Sequence, residues 1–136
     1  MKFIFKSQSS VINGKTILFL DRDGVINKNY GSTIVNSFKI FDINREENKT
    51  DTSIAATHNA YLDKFGYLHK RTIKFFKKNN DIIGSDHLIK KNGSSNVEFS
   101  IRFHLYPGIN TIKTISGKSI LLQINKNKSW MFSSEN

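Results

Sequence analysis

The sequence predicts a mainly β protein: an antiparallel β-sandwich or sheet with an irregular N-terminal appendage. Short apolar segments alternate with clusters of turn residues, and residues 97–105 alternate strictly between apolar and polar side chains. No amphipathic helical pattern extends beyond two turns. We place the appendage at residues 1–35 and the β-rich domain at residues 36–136. A chain of 136 residues has the length of one ordinary domain and can bury its own core.

The N-terminal third contains two apolar segments. Residues 16–20 form a continuous apolar run, which is typical of a strand buried on both faces. A second, shorter apolar stretch covers residues 38–43. Residues 44–52 are all polar or charged, so we expect a loop there, or equally a junction between unrelated pieces.

Two strands are expected in the middle of the chain. Residues 69–76 form the first, and the polar residues 77–80 close it. Residues 81–89 form the second, which Gly84 interrupts. A glycine inside a strand is a common sign of a bulge or a sharp bend.

The most regular pattern lies near residue 100. A period of two indicates a strand with one face on the core and the other open, and Pro107 ends it. The residues expected to line the core are Val97, Phe99, Ile101, Phe103 and Leu105.

The C-terminal part predicts a hairpin and a last strand. Residues 111–115 and 118–125 flank Ser116 and Gly117, a pair typical of a tight turn. Residues 129–132 form a final short strand.

Composition sets broad limits on function. The net charge of +10 suits an anionic partner, but the lysines are scattered, and a coding bias toward Lys, Asn and Ile explains them better. There is no cysteine, which excludes disulfides and thiolate metal sites. No stretch approaches the roughly 18 apolar residues of a membrane span. The first residues make a poor signal peptide.

One short motif follows the first apolar run. Residues 21–27, Asp-Arg-Asp-Gly-Val-Ile-Asn, resemble the first motif of the HAD phosphatases of the histidinol-phosphate and heptose-bisphosphate branch. That resemblance implies Asp21 as the nucleophile, Asp23 as the acid and Mg²⁺ as the cofactor. The fold would need parallel strands with helical crossovers, which the rest of the chain does not predict. A turn, or the remnant of a fused gene, is the alternative.

A longer set of segments resembles the C-terminal β-domain of the heparinase II/III-like polysaccharide lyases over about residues 53–135. The matching pieces lie at residues 57–61, 69–71, 84–86, 102–105 and 130–135. Members of that family cleave acidic polysaccharides by β-elimination, with most of the catalytic machinery on an α/α-toroid. A chain of this length cannot hold both domains, so the resemblance implies a fragment without turnover of its own.

The resemblance also implies substrate-binding residues, namely His58, Tyr61, His69, Arg71 and Arg102. A guanidinium can bind a uronate carboxylate with two hydrogen bonds, although cross-strand ion pairs are an equally ordinary use of an in-strand arginine. Each histidine can equally be an ordinary polar-face or loop residue.

His58 matches a histidine that binds zinc in some members of the family. One histidine cannot hold zinc alone, because structural zinc takes four ligands and catalytic zinc takes three. The site would have to be completed by some of His69, His87, His104, Asp63 and Asp86.

Three functional hypotheses follow. The first is a lyase-like domain for acidic polysaccharides, periplasmic by its resemblance although the chain shows no signal peptide; without that resemblance, a cytoplasmic location is expected. The second is a magnesium-dependent sugar-phosphate phosphatase using Asp21 and Asp23. The third is a non-specific polyanion-binding domain. Nucleic acid is not an expected partner.

Overall fold

The fold is built from β-hairpins. In the computed structural model, the described residues are 1–7, 38–93 and 105–135, together with Phe99, Ile101 and Phe103. They contain eight strands and one short helix. The elements are β1 (Lys2–Ser7), β2 (Ile40–Glu47), β3 (Asp51–His58), α1 (Leu62–Phe65), β4 (Tyr67–Phe76), β5 (Asp81–Lys90), β6 (Asn110–Lys113), β7 (Ser119–Asn125) and β8 (Lys128–Glu135).

All eight strands form one antiparallel sheet in the order β2-β3-β4-β5-β1-β8-β7-β6. The predicted mainly β, antiparallel fold is therefore confirmed. Strand β1 joins two meanders by pairing with β5 on one side and with β8 on the other. The first seven residues thus lie inside the sheet. The proposed boundary near residue 35 falls outside the described residues and stays a prediction.

The prediction of a loop over residues 44–52 is wrong. Strand β2 continues to Glu47, and β3 begins at Asp51. The reversal needs only three residues because the Asn48 side chain accepts hydrogen bonds from the backbone N–H groups of Thr50 and Asp51, both at 2.8 Å. A short Asn side chain that bonds its own backbone in this way makes a tight turn. Residues 44–52 are polar because they belong to the exposed β2–β3 hairpin at the edge of the sheet.

Gly84 does not mark a bulge. The β4–β5 register runs without a shift from Tyr67 opposite Lys90 to Phe76 opposite Asp81. Gly84 lies opposite Phe3 of β1, and a Cβ atom at this position would overlap the Phe3 ring. The glycine is needed because an aromatic ring packs directly on the backbone of β5.

The core lies where β1 meets β8 and β7. Phe3 is fully buried, and Leu122 and Trp130 are less than 10% exposed. The Phe103 ring packs against Phe3 and Phe132, with ring centroids 5.0 Å apart in each pair. Such edge-to-face and tilted ring pairs add about 0.5–1.5 kcal/mol to the burial itself. Other partly buried side chains around this core are Ile82, Ile109 and Ile120.

The predicted core strand at residues 97–105 is corrected by the structure. Its described positions, Phe99, Ile101, Phe103 and Leu105, do not lie in a strand. Phe103 packs on the core, whereas Phe99 and Leu105 are 40% and 39% exposed. Without a neighbouring strand to pair with, alternation in the sequence does not place every second side chain inside. Val97 lies outside the described residues.

The C-terminal hairpin is confirmed. Strands β6 and β7 pair from Asn110 opposite Gln123 to Lys113 opposite Ile120. The turn holds Gly117 at a positive φ of 69°, and its N–H donates to the Thr114 carbonyl at 2.8 Å. The predicted last strand is also present, and β8 is longer than expected.

Helix α1 and Gly66 connect β3 to β4. Gly66 has a φ of 77°, which favours glycine, and a Cβ there would overlap the Asn92 backbone. Its carbonyl accepts from Lys91 N–H at 2.8 Å. The end of β5 is thereby tied to the start of β4. In the described part of the chain, no helix is long and apolar enough to cross a membrane.

Candidate functional site

The strand registers bring four polar side chains onto one face of the sheet. His58 on β3 lies opposite His69 on β4, and Arg71 on β4 lies opposite Asp86 on β5. Because paired residues and residues two apart point to the same side, all four share one face. Phe3 shares that face, and the Arg71 guanidinium carbon lies 6.0 Å from the centre of its ring. The polar group therefore rests on the edge of the core.

These four side chains form a continuous hydrogen-bond chain. His58 Nε2 lies 2.8 Å from His69 Nδ1, and His69 Nε2 lies 2.6 Å from Asp86 Oδ1. Arg71 donates from Nε to Asp86 Oδ1 at 2.6 Å and from Nη2 to Oδ2 at 3.1 Å. We call His58, His69, Asp86 and Arg71 the histidine–aspartate chain.

The direction of the hydrogen bonds is fixed at both ends. The Ala60 backbone N–H donates to His58 Nδ1 at 3.2 Å, so this nitrogen carries no proton. Neutral His58 therefore holds its proton on Nε2 and donates to His69 Nδ1. His69 in turn donates from Nε2 to the Asp86 carboxylate, which can only accept when it is ionised. Both imidazoles are neutral in this arrangement, and every donor faces an acceptor.

His58 resists protonation for the same reasons. Burial, with help from His69 and Arg71, lowers the pKa of His58 from 6.5 to about 4, and the Asp86 charge opposes this shift. A proton added to Nδ1 would also face the Ala60 N–H, so one donor would have to move away. His58 thus stays an acceptor at Nδ1 over the physiological pH range.

Asp86 is the buried anion of the chain and is 4% exposed. Burial works to raise the pKa of Asp86, but hydrogen bonds from His69 and Arg71 outweigh it and hold that pKa below its usual value. The backbone of Asp86 is also held, because its N–H donates to the Met1 carbonyl at 2.9 Å. The carboxylate is therefore ionised and well fixed.

Aromatic rings surround His58, the residue at the outer end of the histidine–aspartate chain. The Tyr61 ring centre lies 5.3 Å from that of His58 and 6.1 Å from that of His69, and Phe38 lies 5.7 Å from His58. Phe38 is 43% exposed, which leaves an apolar ring face open beside a hydrogen-bonding imidazole. Amphipathic surfaces of this kind suit ligands that have both apolar and hydroxyl-bearing faces.

Lysines are placed around the same end of the sheet. Lys90 lies opposite Tyr67 and shares the face of His69, and Lys91 follows it. Lys39 and Lys64 lie in the flanking segments, next to Phe38 and within α1. All four lysines are exposed. Asp86 is already paired with Arg71, and the exposed Asp63 on α1 offsets only one of the four lysines, so the described residues here carry an excess of positive charge.

The arrangement has a definite chemical capability. The ionised Asp86 carboxylate fixes the His69 ring with its proton on Nε2, and His69 in turn fixes His58 with its proton on Nε2 and its acceptor at Nδ1. Asp86 keeps its charge throughout, because Arg71 and His69 hold its pKa low. This is the order of groups in which a carboxylate orients and supports an imidazole base.

The structure brings together most of the predicted site residues. His58, Tyr61, His69 and Arg71 lie within one cluster. Arg71 also makes the cross-strand ion pair that the sequence offered as an alternative. Arg102, Asp21, Asp23 and His104 fall outside the described residues. His87 is exposed on the opposite face of β5.

The residues do not fit the predicted zinc site at His58. Both of its ring nitrogens are engaged, by the Ala60 N–H and by His69. Asp86 is held by Arg71, and Asp63 is exposed on α1. Among the residues that the structure describes, no group of three or more histidines and carboxylates is arranged to hold a metal ion.

Three site components were missed from the sequence. Asp86 was included in the resemblance at residues 84–86 and considered as a zinc ligand, but not as the buried partner of His69 and Arg71. Phe38 was noted only as the first residue of a short apolar stretch. The Ala60 amide has no sequence signal, because any residue except proline supplies the same N–H.

The comparison with known families gives one result. A family model described as Heparinase II/III-like, C-terminal matches residues 21–136. The match includes all of the histidine–aspartate chain and Tyr61. No curated protein and no solved structure gives a significant match.

Proposed function

This chain belongs to the heparinase II/III-like C-terminal family, and we propose that it binds an acidic polysaccharide at the end of the sheet where His58 lies. The family supports a polysaccharide lyase-like domain. The acidic sugar would lie across Phe38, His58 and Tyr61, with its carboxylates or sulfates facing Lys90 and Lys91.

The observation that carries this proposal is the oriented histidine–aspartate chain at a basic, aromatic end of the sheet. Neutral His58 offers an acceptor to a sugar hydroxyl, and the Phe38 ring offers an apolar surface to the sugar ring. Exposed lysines supply charge complementarity, which raises the association rate and selects anionic partners.

The proposal extends to the activity of the isolated domain and to its location in the cell. The domain lacks lyase turnover alone, because the family's catalytic machinery lies mainly on an α/α-toroid. In the cell it works beside such a domain in the periplasm, where acidic polysaccharides are handled.

No observation favours the phosphatase hypothesis. Asp21 and Asp23 lie outside the described residues, and the described sheet is antiparallel throughout. The parallel strands and crossover helices of that fold are not found in the described ranges.

Two double variants test the proposed site with equal loss of charge. Lys90→Gln with Lys91→Gln removes two charges at the end of the sheet where His58 lies. Lys49→Gln with Lys78→Gln removes two exposed charges from the turns at the other end of the sheet, about 30 Å away along β4. The measurement is the salt concentration at which each protein elutes from immobilised heparin and from immobilised alginate.

We expect the Lys90/Lys91 variant to elute at clearly lower salt than wild type and the Lys49/Lys78 variant to stay close to wild type. Equal shifts in both variants would show that only bulk charge matters, in favour of the non-specific polyanion hypothesis. A neutral dextran column should retain none of the proteins.

A further inference from the structure

The histidine–aspartate chain has an inner and an outer end. The inner end is the Asp86 carboxylate, which is buried and accepts hydrogen bonds from Nε and Nη2 of Arg71. The outer end is His58 Nδ1, whose partner is the Ala60 amide. His69 joins the two ends through both of its ring nitrogens.

The hydrogen bonds of the chain differ in length. Those at Asp86 Oδ1 are 2.6 Å long, the link between the two rings is 2.8 Å, and the bond from Ala60 to His58 is 3.2 Å. An N–H donor at 3.2 Å is at the long limit of the usual range. The outer bond is therefore the one that a hydroxyl donor of a ligand can most easily replace.

We infer that Asp86, acting through His69, is a positioning residue that sets the tautomer of His58 and so leaves Nδ1 as its acceptor for a hydroxyl group of the bound acidic sugar. The inference rests on the proposed function for its ligand, but the orientation follows from the hydrogen bonds alone. An ionised carboxylate accepts only, so His69 must present Nε2–H to it and a bare Nδ1 to His58. His58 must then donate from Nε2, and the lone pair with which it accepts is on Nδ1, where the Ala60 N–H donates at 3.2 Å.

Removing the charge at Asp86 leaves only the long 3.2 Å bond from the Ala60 N–H to set the direction. In Asp86→Asn the side chain keeps its size but can donate or accept, so His69 is free to adopt either tautomer. His58 follows, and its Nδ1 carries a proton in part of the population. A hydroxyl donor then meets a second donor in place of an acceptor.

The test reads the tautomers directly by ¹⁵N NMR of the histidine rings at neutral pH. Wild type should show His58 and His69 both neutral and protonated on Nε2. Asp86→Asn should convert His58 to a mixture of tautomers while the backbone amide spectrum keeps its strand pattern. The exposed His87→Gln is the matched control and should leave the His58 signals unchanged.

A ligand arm uses a heparin tetrasaccharide. Loss of one well-oriented hydrogen bond predicts about fivefold to tenfold weaker binding in Asp86→Asn. If Asp86→Asn does not fold, His69→Gln interrupts the same chain at a more exposed position and is read in the same two ways. A wild-type protein that does not bind heparin or alginate overturns the proposed function. The effect of Asp86→Asn on the His58 tautomer still tests the positioning role in that case.

Two results would overturn the inference. One is a wild-type His58 protonated on Nδ1, or a His58 tautomer that does not change in Asp86→Asn. The other is a changed tautomer with unchanged affinity for the tetrasaccharide, which would remove Asp86 from sugar recognition.

Discussion

His58 gives the protein a stability that depends on pH. Its pKa is about 4 in the folded chain and 6.5 when unperturbed, so the unfolded chain binds more protons between these values. Stability must therefore fall as the pH drops from 6.5 to 4. After allowance for solvent screening at a partly exposed ring, we expect a loss of about 1–2 kcal/mol. Urea denaturation at pH 7 and pH 4.5 measures it.

The comparison variants for this prediction are His58→Gln and His87→Gln. The first should flatten the pH dependence between 6.5 and 4, and the second, on the exposed opposite face, should keep it. A His58→Gln protein with the full wild-type slope would show that another group is responsible.

We expect Asp86 to contribute strongly to stability, because it is buried and bonded to both His69 and Arg71. Asp86→Ala leaves the Arg71 charge and the His69 N–H without their partner in a poorly hydrated place. Breaking one side of a buried ion pair costs about 3–5 kcal/mol, a large share of the roughly 5–15 kcal/mol that stabilises a domain. Thermal and chemical unfolding should show this loss.

A surface ion pair provides the contrast. Lys2 and Glu135 lie 3.2 Å apart with side chains 45% and 59% exposed. Glu135→Ala should cost less than about 1 kcal/mol, because water already screens this pair. If Asp86→Ala and Glu135→Ala lower the free energy of unfolding by the same amount, burial does not explain the contribution of the Asp86 ion pair.

At the scale of elements, the contact between β1 and β5 determines where the two meanders meet. Gly84→Ala would force its new methyl group into the Phe3 ring. Overpacking of this kind costs about 1–3 kcal/mol. A smaller residue at Phe3 should relieve part of the cost, so Gly84→Ala combined with Phe3→Leu should lose less than the sum of the two single changes.

Ser85→Ala is the control for this double-variant cycle. It changes the next residue of β5, whose side chain points to the other face, and should cost less than about 1 kcal/mol. Strictly additive effects of Gly84→Ala and Phe3→Leu would mean that the ring and the glycine do not constrain each other.

The sequence predicted elements better than their pairing. Turn residues such as Ser116 and Gly117 are local, so the β6–β7 hairpin was predictable. The place of β1 between β5 and β8 was not, because pairing over 80 residues leaves no local signal. The regular alternation near Phe99 failed for a related reason, since a strand also needs a neighbour to pair with.

The site was predictable only in part for the same reason. Resemblance indicated His58, Tyr61, His69 and Arg71, which do cluster. The role of Asp86 depends on the registers of β3, β4 and β5 together, because only these place Asp86 opposite Arg71 and beside His69. The direction of the hydrogen bonds along the histidine–aspartate chain also depends on the Ala60 backbone N–H. The sequence does not reveal this role, because nearly every residue has a backbone N–H.

At the scale of the whole molecule, charge and shape divide the sheet into two ends. One end carries His58, Tyr61, Phe38 and the Lys90–Lys91 pair, and the other carries the turns that contain Lys49 and Lys78. The net charge of +10 attracts polyanions to the whole surface. The first end adds the exposed Phe38 ring and the Tyr61 ring beside an oriented acceptor, so specific recognition should be confined to it.

Mapping a bound ligand onto the sheet tests this central claim most directly. Backbone amide and histidine-ring NMR shifts would be followed as an alginate oligosaccharide is added at moderate salt. We expect saturable shifts centred on Phe38, His58, Tyr61 and Lys90, with little change at Lys49 and Lys78. Shifts of equal size at both ends, or centred on the turns near Lys78, would contradict it.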